Sequence, residues 1–283
     1  MSKNYKLVRI DFFVVFYCFF SGGRDSAVSC FVSKRVADAK RVPFYLVHID
    51  TTINIPDTEK YVREYANWLG AELIVLRPEE TFEEYAKKYP YWPSIYPQSK
   101  RWCYYELKLK PLVRFLRKNY RFGDVVVLGV RGPESLFRLG FYEKVFDTRC
   151  YHSAIGDICV RAWYPVLRLG DEMIEKLIEK FKIPRNPVWR IGSSGECLCL
   201  AGTSYRKLVR IAVNYPDVIE RLVKIDDIIQ SNRTRSEKPS YPKPLEKEKL
   251  TLRQWWEQFR RQQQITDYLS GGTEYESCSA CIW

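Results

Sequence analysis

Six consecutive residues, Ser21-Gly22-Gly23-Arg24-Asp25-Ser26, combine two glycines, two hydroxyls, a cation and an acid, a mixture suited to holding an anion. They follow an apolar run over 12–20, rich in Phe, Val and Tyr, that reads as a buried strand. After them Val28, Phe31 and Val32 fall on one helical face. A strand–glycine–helix layout turns free backbone N–H groups and the positive end of a helix dipole toward a phosphate. The glycines let the backbone approach closely, Ser21 and Ser26 add hydroxyl donors, and Asp25 can cap the helix or help hold Mg2+ beside the phosphates. The pattern is neither the longer Walker loop nor the dinucleotide fingerprint.

Further candidates follow apolar runs. Asp50 and Thr51 end a second such run, where Asp50 can accept from an adenine amine or a ribose hydroxyl, or simply cap a turn. Gly129 and Arg131 close a fourth run, with Glu134 and Arg138 just beyond. The guanidinium groups of Arg131 and Arg138 suit phosphate or sulfate through paired N–H donors. Glu134 can orient Arg138 or form an ordinary surface ion pair. Nine cysteines argue for metal or redox chemistry at some of them rather than a disulfide framework. Cys18 and Cys30 read as small core residues. Cys197-Leu198-Cys199 lies between glycines, where thiolates can converge on iron–sulfur or zinc. Cys278 and Cys281, spaced C-x-x-C near the end of the chain, form a redox pair, complete a metal site, or do nothing.

The elements that must position these residues alternate. Strands are expected over 43–51, 71–76 and 124–130, and helices over 57–69, 81–88 and 102–119. This rhythm predicts an α/β fold with a doubly wound, mostly parallel sheet, and ligands beyond the carboxyl ends of its strands. The aromatic loop over 89–96 either lids the site or packs. Past Gly132 the pattern loosens. Helices are expected over 172–181, 204–215, 216–230 and 250–269, and the charged, proline-bearing stretch 232–249 reads as a linker or surface meander. The predicted organisation is a nucleotide-binding domain over 1–202 and a helical extension over 203–283 that ends in the cysteine-bearing tail.

At 283 residues the chain can bury a sizeable core. Its formal charge of +12 is compatible with nucleic acid, with polyphosphate substrates, or with a well-solvated surface. The cations are scattered, apart from Arg114/Arg117/Lys118/Arg121 and Arg253/Arg260/Arg261. No apolar run reaches the length of a membrane span, and the run over 12–20 leads straight into the glycine loop rather than to a cleavage site. A cytoplasmic protein without a membrane partner is expected, with a homo-oligomer left open.

The hexapeptide resembles the PP-loop of the ATP-pyrophosphatase superfamily, Ser-Gly-Gly-Lys-Asp-Ser, with Arg24 in place of the lysine. His48-Ile49-Asp50-Thr51 with Pro56-Asp57-Thr58, Cys103 with Lys108 and Pro111-Leu112, and Gly129-Val130-Arg131-Gly132-Pro133-Glu134-Ser135 with Arg138 resemble, in order, segments of the phosphoadenosine phosphosulfate (PAPS) reductase family. So do Tyr164-Pro165-Val166 and Ile183-Pro184-Arg185-Asn186-Pro187. The resemblance runs over about 8–202. It implies an adenine nucleotide alpha-hydrolase-like fold that binds ATP or PAPS, with Mg2+ where ATP is the ligand. Ser21 to Ser26 and Gly129 would hold phosphates, Asp50 and Thr51 the nucleoside, and Arg24, Asp25, Arg131 and Arg138 would serve catalysis.

The same resemblance makes Cys103 a third metal ligand beside Cys197 and Cys199, with Cys150, Cys159, Cys278 or Cys281 as a fourth or none. C-x-C departs from the family's C-x-x-C, and the tail lacks the family's Glu-Cys-Gly-x-His setting. Because the hexapeptide is complete and that tail setting is missing, the expected reaction is ATP cleavage to AMP and pyrophosphate in sulfur transfer. A sulfur donor or thiol reductant is the implied partner, and the excess of Lys and Arg fits a tRNA or DNA acceptor. PAPS or adenylyl sulfate reduction is the alternative. A further one is a nucleotide- or nucleic-acid-binding module without turnover, damaged at Arg24.

Overall fold

The computed structural model describes residues 14–93, 101–134, 142, 144–233 and 240–261. Five strands form the parallel body of one sheet: β1 (Phe16–Phe19), β2 (Phe44–Ile49), β3 (Glu72–Leu76), β4 (Val125–Leu128) and β6 (Gly156–Trp163). β5 (Phe146–Ser153) lies antiparallel to β6 at the edge, and the order is β3-β2-β1-β4-β6-β5. The sheet is therefore doubly wound and mostly parallel, as expected. The order reverses between β1 and β4, which is where such sheets open a crevice at their carboxyl rim.

Local chemistry sets the helices. α1 (Arg24–Lys40) starts at Gly23 with no side-chain cap. α2 (Pro56–Leu69) has proline in its first turn and stops at Gly70, whose φ of 63° suits a residue without Cβ. α3 (Phe82–Lys88) opens with a Thr81/Glu84 capping box. α4 (Trp102–Tyr104) and α5 (Lys110–Asn119) are joined by a π-helical turn, Tyr105–Leu109. α6 (Asp171–Phe181), α7 (Tyr205–Asn214), α8 (Pro216–Ser231) and α9 (Leu252–Arg261) follow. No helix among the described residues is long and apolar enough to cross a membrane.

Three apolar clusters result. Side chains of α1, α2 and α6 cover one sheet face, around Phe20, Val28, Tyr65 and Ile178. α5 covers the other, around Phe19, Val113, Leu116 and Val126. The third lies beyond the sheet and joins Ile53, Phe82, Trp92, Trp102 and Leu198 to Leu208, Leu222, Leu245 and Trp255. The helices after residue 203 thus share a core with segments from before it. The stretch expected as a linker buries Ser240, Pro244 and Leu245 there. Asp226 ties this lobe together: it is fully buried and accepts from the indole of Trp92 at 2.8 Å and the backbone of Leu252 at 2.6 Å.

The β5–β6 hairpin was not expected. Its outward positions carry Thr148, Cys150, Cys159 and Arg161, so the apolar signal is thin. Cys150 and Cys159 stand directly opposite, with Cα atoms 4.0 Å apart, and form a disulfide. This corrects the expectation that either is free to serve as a metal ligand. Cys18 and Cys30 are fully buried core residues, as read.

Candidate functional site at the carboxyl rim

β1, β2 and β4 run in parallel, so Ser21, Asp50 and Arg131, which follow their ends, share one rim. Gly22 has φ +77°, and a Cβ there would meet Thr58 Cγ2 at 2.8 Å. Its carbonyl accepts from Asn186 Nδ2 at 3.1 Å and Trp189 Nε1 at 2.9 Å. Ser21 Oγ and Ser26 Oγ are hydrogen-bonded at 3.0 Å, and Ser26 also donates to the Gly23 carbonyl at 2.9 Å. Gly129 backs onto this turn so closely that a Cβ would lie 2.5 Å from Ser26 Cα. The loop is therefore held by its own hydroxyls and by two chain segments, while no side chain caps the start of α1. Uncapped N–H groups at a helix start are an anion's natural partners.

The charged residues form one network. Arg131, 3 % exposed, donates from Nε to Asp25 at 2.8 Å and from Nη2 to Asp171 at 2.9 Å. Its Nη1 is buried with no hydrogen-bond partner. Arg24 bonds Asp171 and, at 3.2 Å, Glu175, both on α6, and touches Asp25 at 3.4 Å. Arg185 reaches the other oxygen of Glu175 at 2.8 Å. Burial raises the Asp171 carboxyl, but the Arg24 hydrogen bond and the Arg131 charge outweigh it and hold the group below its ordinary value. Asp25 thus grips arginines rather than capping α1, and Arg24 turns toward α6. Asp171 and Glu175 escaped sequence reasoning because acids in a helix's first turns read as ordinary dipole complements.

Asp50 and Thr51 lie at the same rim. Asp50 accepts from the Thr52 backbone at 2.9 Å and from Arg77 Nε at 3.0 Å. Both face a cavity of about 370 Å3 that also meets Asn54 and Thr81. Thr51 is fully buried and donates to the Glu196 carbonyl at 2.7 Å, so its hydroxyl is taken up by the loop over 192–203. His48 is buried, its Nδ1 2.8 Å from the Phe20 carbonyl and its Nε2 without a partner. Burial pushes its pKa down and keeps the ring neutral. The aromatic loop packs rather than lids the site as far as it is described: Trp92 is fully buried, and Tyr89 stacks on Trp102 at 5.4 Å.

Glu196 also carries the ion pair that fixes the cysteine loop. Lys108 Nζ meets it at 2.8 Å, with both side chains under 8 % exposed. Cys103 and Cys199 are buried in the third apolar cluster, and Cys197 is half-buried against it. Among the described residues no group of three or more His, Cys, Asp or Glu converges to hold a metal ion, so the expected iron–sulfur or zinc donor set is incomplete there. Arg138, Cys278 and Cys281 lie outside the described residues, as does the side chain of Glu134.

The model of the phosphoadenosine phosphosulfate reductase domain matches residues 16–218. Two uncharacterized proteins of Methanocaldococcus jannaschii are 36% identical over 102 residues and 34% identical over 119, spanning 36% and 42% of this chain. The matched stretch is 23% of either relative's length. Among solved structures, a PAPS reductase from Candida auris in a phosphate complex is 20% identical with a TM-score of 0.45, over 62% of this chain and 77% of that one. The U34-tRNA thiolase NcsA from Methanococcus maripaludis, solved with its 4Fe-4S cluster, is 12% identical with a TM-score of 0.42, over 81% and 77%.

Proposed function

The chain belongs to the phosphoadenosine phosphosulfate reductase domain family, and from that premise we propose that it cleaves ATP to AMP and pyrophosphate, activating an acceptor for sulfur transfer. One observation carries the reading. The complete Ser21–Ser26 loop joins β1 to the uncapped start of α1 at the point where strand order reverses, with Gly129 pressed against it. Backbone N–H groups there suit a chain of phosphates, and glycine is required because Cβ atoms would collide with Thr58 and Ser26.

In this reading the residues divide the work. The turn and the start of α1 hold the phosphates. Arg131, gripped by Asp25 and Asp171, offers its unpartnered Nη1 to an anionic oxygen. Arg24 is a positioning residue that ties the loop's helix to α6. Asp50 and Thr81 flank the cavity proposed for the nucleoside. An acceptor nucleophile attacks the α-phosphorus, the bond to the bridging oxygen breaks, and pyrophosphate leaves with the electron pair. A sulfur nucleophile then displaces AMP from the acceptor.

The test measures pyrophosphate release from ATP and sulfite release from PAPS with a thiol reductant, on the same preparation. AMP and pyrophosphate in equal amounts support the proposal. Sulfite from PAPS without ATP cleavage overturns it in favour of the reductase reaction, and neither product overturns it in favour of a binding module.

A further inference from the structure

The opposite rim carries a feature that nucleotide chemistry does not use. Gly123 and Phe122 precede the first residue of β4, Arg161 of β6 pairs with Val125, and Phe146 of β5 pairs with Trp163, so this surface runs from the amino end of β4 onto the outward face of the β5–β6 hairpin. A groove of about 650 Å3 opens there, within the size range of ligand clefts. Phe122, 91% exposed, stands at its mouth. Phe146, 48% exposed, forms a wall, with Trp163 stacked on it at 5.5 Å and the Arg161 guanidinium 5.7 Å from its centroid. Asp147 is the single carboxylate among the described lining residues.

Some surface cations are neutralised by a carboxylate and others are not. Lys34, Lys88, Arg114 and Arg253 each meet a carboxylate. Lys118, Arg121, Lys144 and Arg161 have no such partner among the described residues. Arg121 folds back on the carbonyls of Lys118 and Tyr120 at 3.0 and 3.1 Å. The disulfide Cys150–Cys159 fixes the hairpin that carries Phe146 and Arg161. A rigid wall, unneutralised cations and a bare aromatic ring are the parts of a site that stacks bases and tracks a phosphate backbone.

We infer that this groove binds single-stranded nucleic acid, with Phe122 as a stacking platform and Lys144 and Arg161 on the phosphates. A duplex fits less well, because its bases are already stacked and offer the ring nothing. The inference stands independently of ATP cleavage at the other rim.

Fluorescence anisotropy of the full chain with labelled oligo(U), oligo(dT) and a duplex of equal length tests it. Both single strands should bind more tightly than the duplex, and preference for one identifies RNA or DNA as the source. Phe122→Ala should weaken single-strand binding roughly tenfold, and Lys144→Glu should lower the slope of log affinity against log salt by about 0.7. Labelled-ATP binding should be unchanged in both variants, which also shows that they fold. The inference is overturned if single strands do not bind, if both variants bind like the parent, or if the duplex binds as well. It is equally overturned if sedimentation shows a second copy on this face that Phe122→Ala releases. Failure of ATP cleavage with oligonucleotide binding intact would count against the preceding proposal alone.

Discussion

Two loops meet at the carboxyl rim, and opposite means hold them. The glycine loop, Ser21 to Ser26, is shaped largely from within: its hydroxyls bond one another, its turn comes from Gly22, and its helix follows at once, with Asn186 and Trp189 anchoring only the Gly22 carbonyl. The cysteine loop over 192–203 is held from afar. Thr51 donates to the Glu196 carbonyl, Lys108 pairs with the Glu196 carboxylate, and the backbone N–H of Leu198 donates to Ile53. The first loop depends on space that no side chain fills, the second on charge removed from water. They touch, since Thr58 and Asn186 both contact the Ser194 carbonyl and Asn186 also holds Gly22. A rim built this way can keep one loop open to an anion while the other stays buried.

The largest expected effect tests the buried half. Lys108→Ala leaves Glu196 charged and unpaired in the interior, which costs about 3–5 kcal/mol. Urea unfolding should register that loss. The double variant Lys108→Met/Glu196→Leu should recover most of it, because an apolar pair of similar size removes the desolvation penalty as well as the attraction. No recovery would mean that the pair itself, rather than the stranded charge, fixes the loop.

The open half predicts a smaller cost and a sharper functional loss. Gly129→Ala puts a Cβ 2.5 Å from Ser26 Cα, against backbone that cannot swing away. Overpacking of this kind costs about 1–3 kcal/mol. Because the displaced atoms belong to the phosphate turn, labelled-ATP binding should disappear while urea unfolding still shows a cooperative transition. Retained ATP binding would place the phosphates somewhere other than this turn.

What could be read in the sequence follows the same division. The glycine loop, Asp50 and Arg131 were legible because each ends a strand and its chemistry is carried by adjacent residues. The parallel sheet was legible from the alternation of apolar runs with amphipathic helices. Asp171 was not, because it meets Arg24 and Arg131 only after intervening strands and helices have folded, and no local pattern sets it apart. The β5–β6 hairpin was missed for a physical reason too: Ile158, Val160 and Ala162 alternate as a strand should, but charged and cysteine residues fill the other face. The clue available was Cys150 and Cys159 at a spacing that a tight hairpin brings face to face. The cysteine loop was recognised by its residue types, yet burial in an apolar cluster depends on helices far along the chain.

The smallest expected effect concerns Arg24, where the family's loop has lysine. If the arginine were a damaged phosphate ligand, Arg24→Lys should raise pyrophosphate release from ATP. The geometry gives it different work, because its guanidinium reaches Asp171 and Glu175 on α6, and Asp171 is shared with Arg131. A lysine could keep one of those contacts but not the fork that spans two acids. Asp171 is largely exposed, its side chain 68% accessible, so the lost bonds cost only about 0–1 kcal/mol. Arg24→Lys should therefore leave ATP cleavage unchanged or slightly lower, with a small drop in the urea midpoint. A tenfold gain in pyrophosphate release would show that the cation at this position meets the nucleotide after all, and would move Arg24 from the helix-anchoring network to the phosphate site.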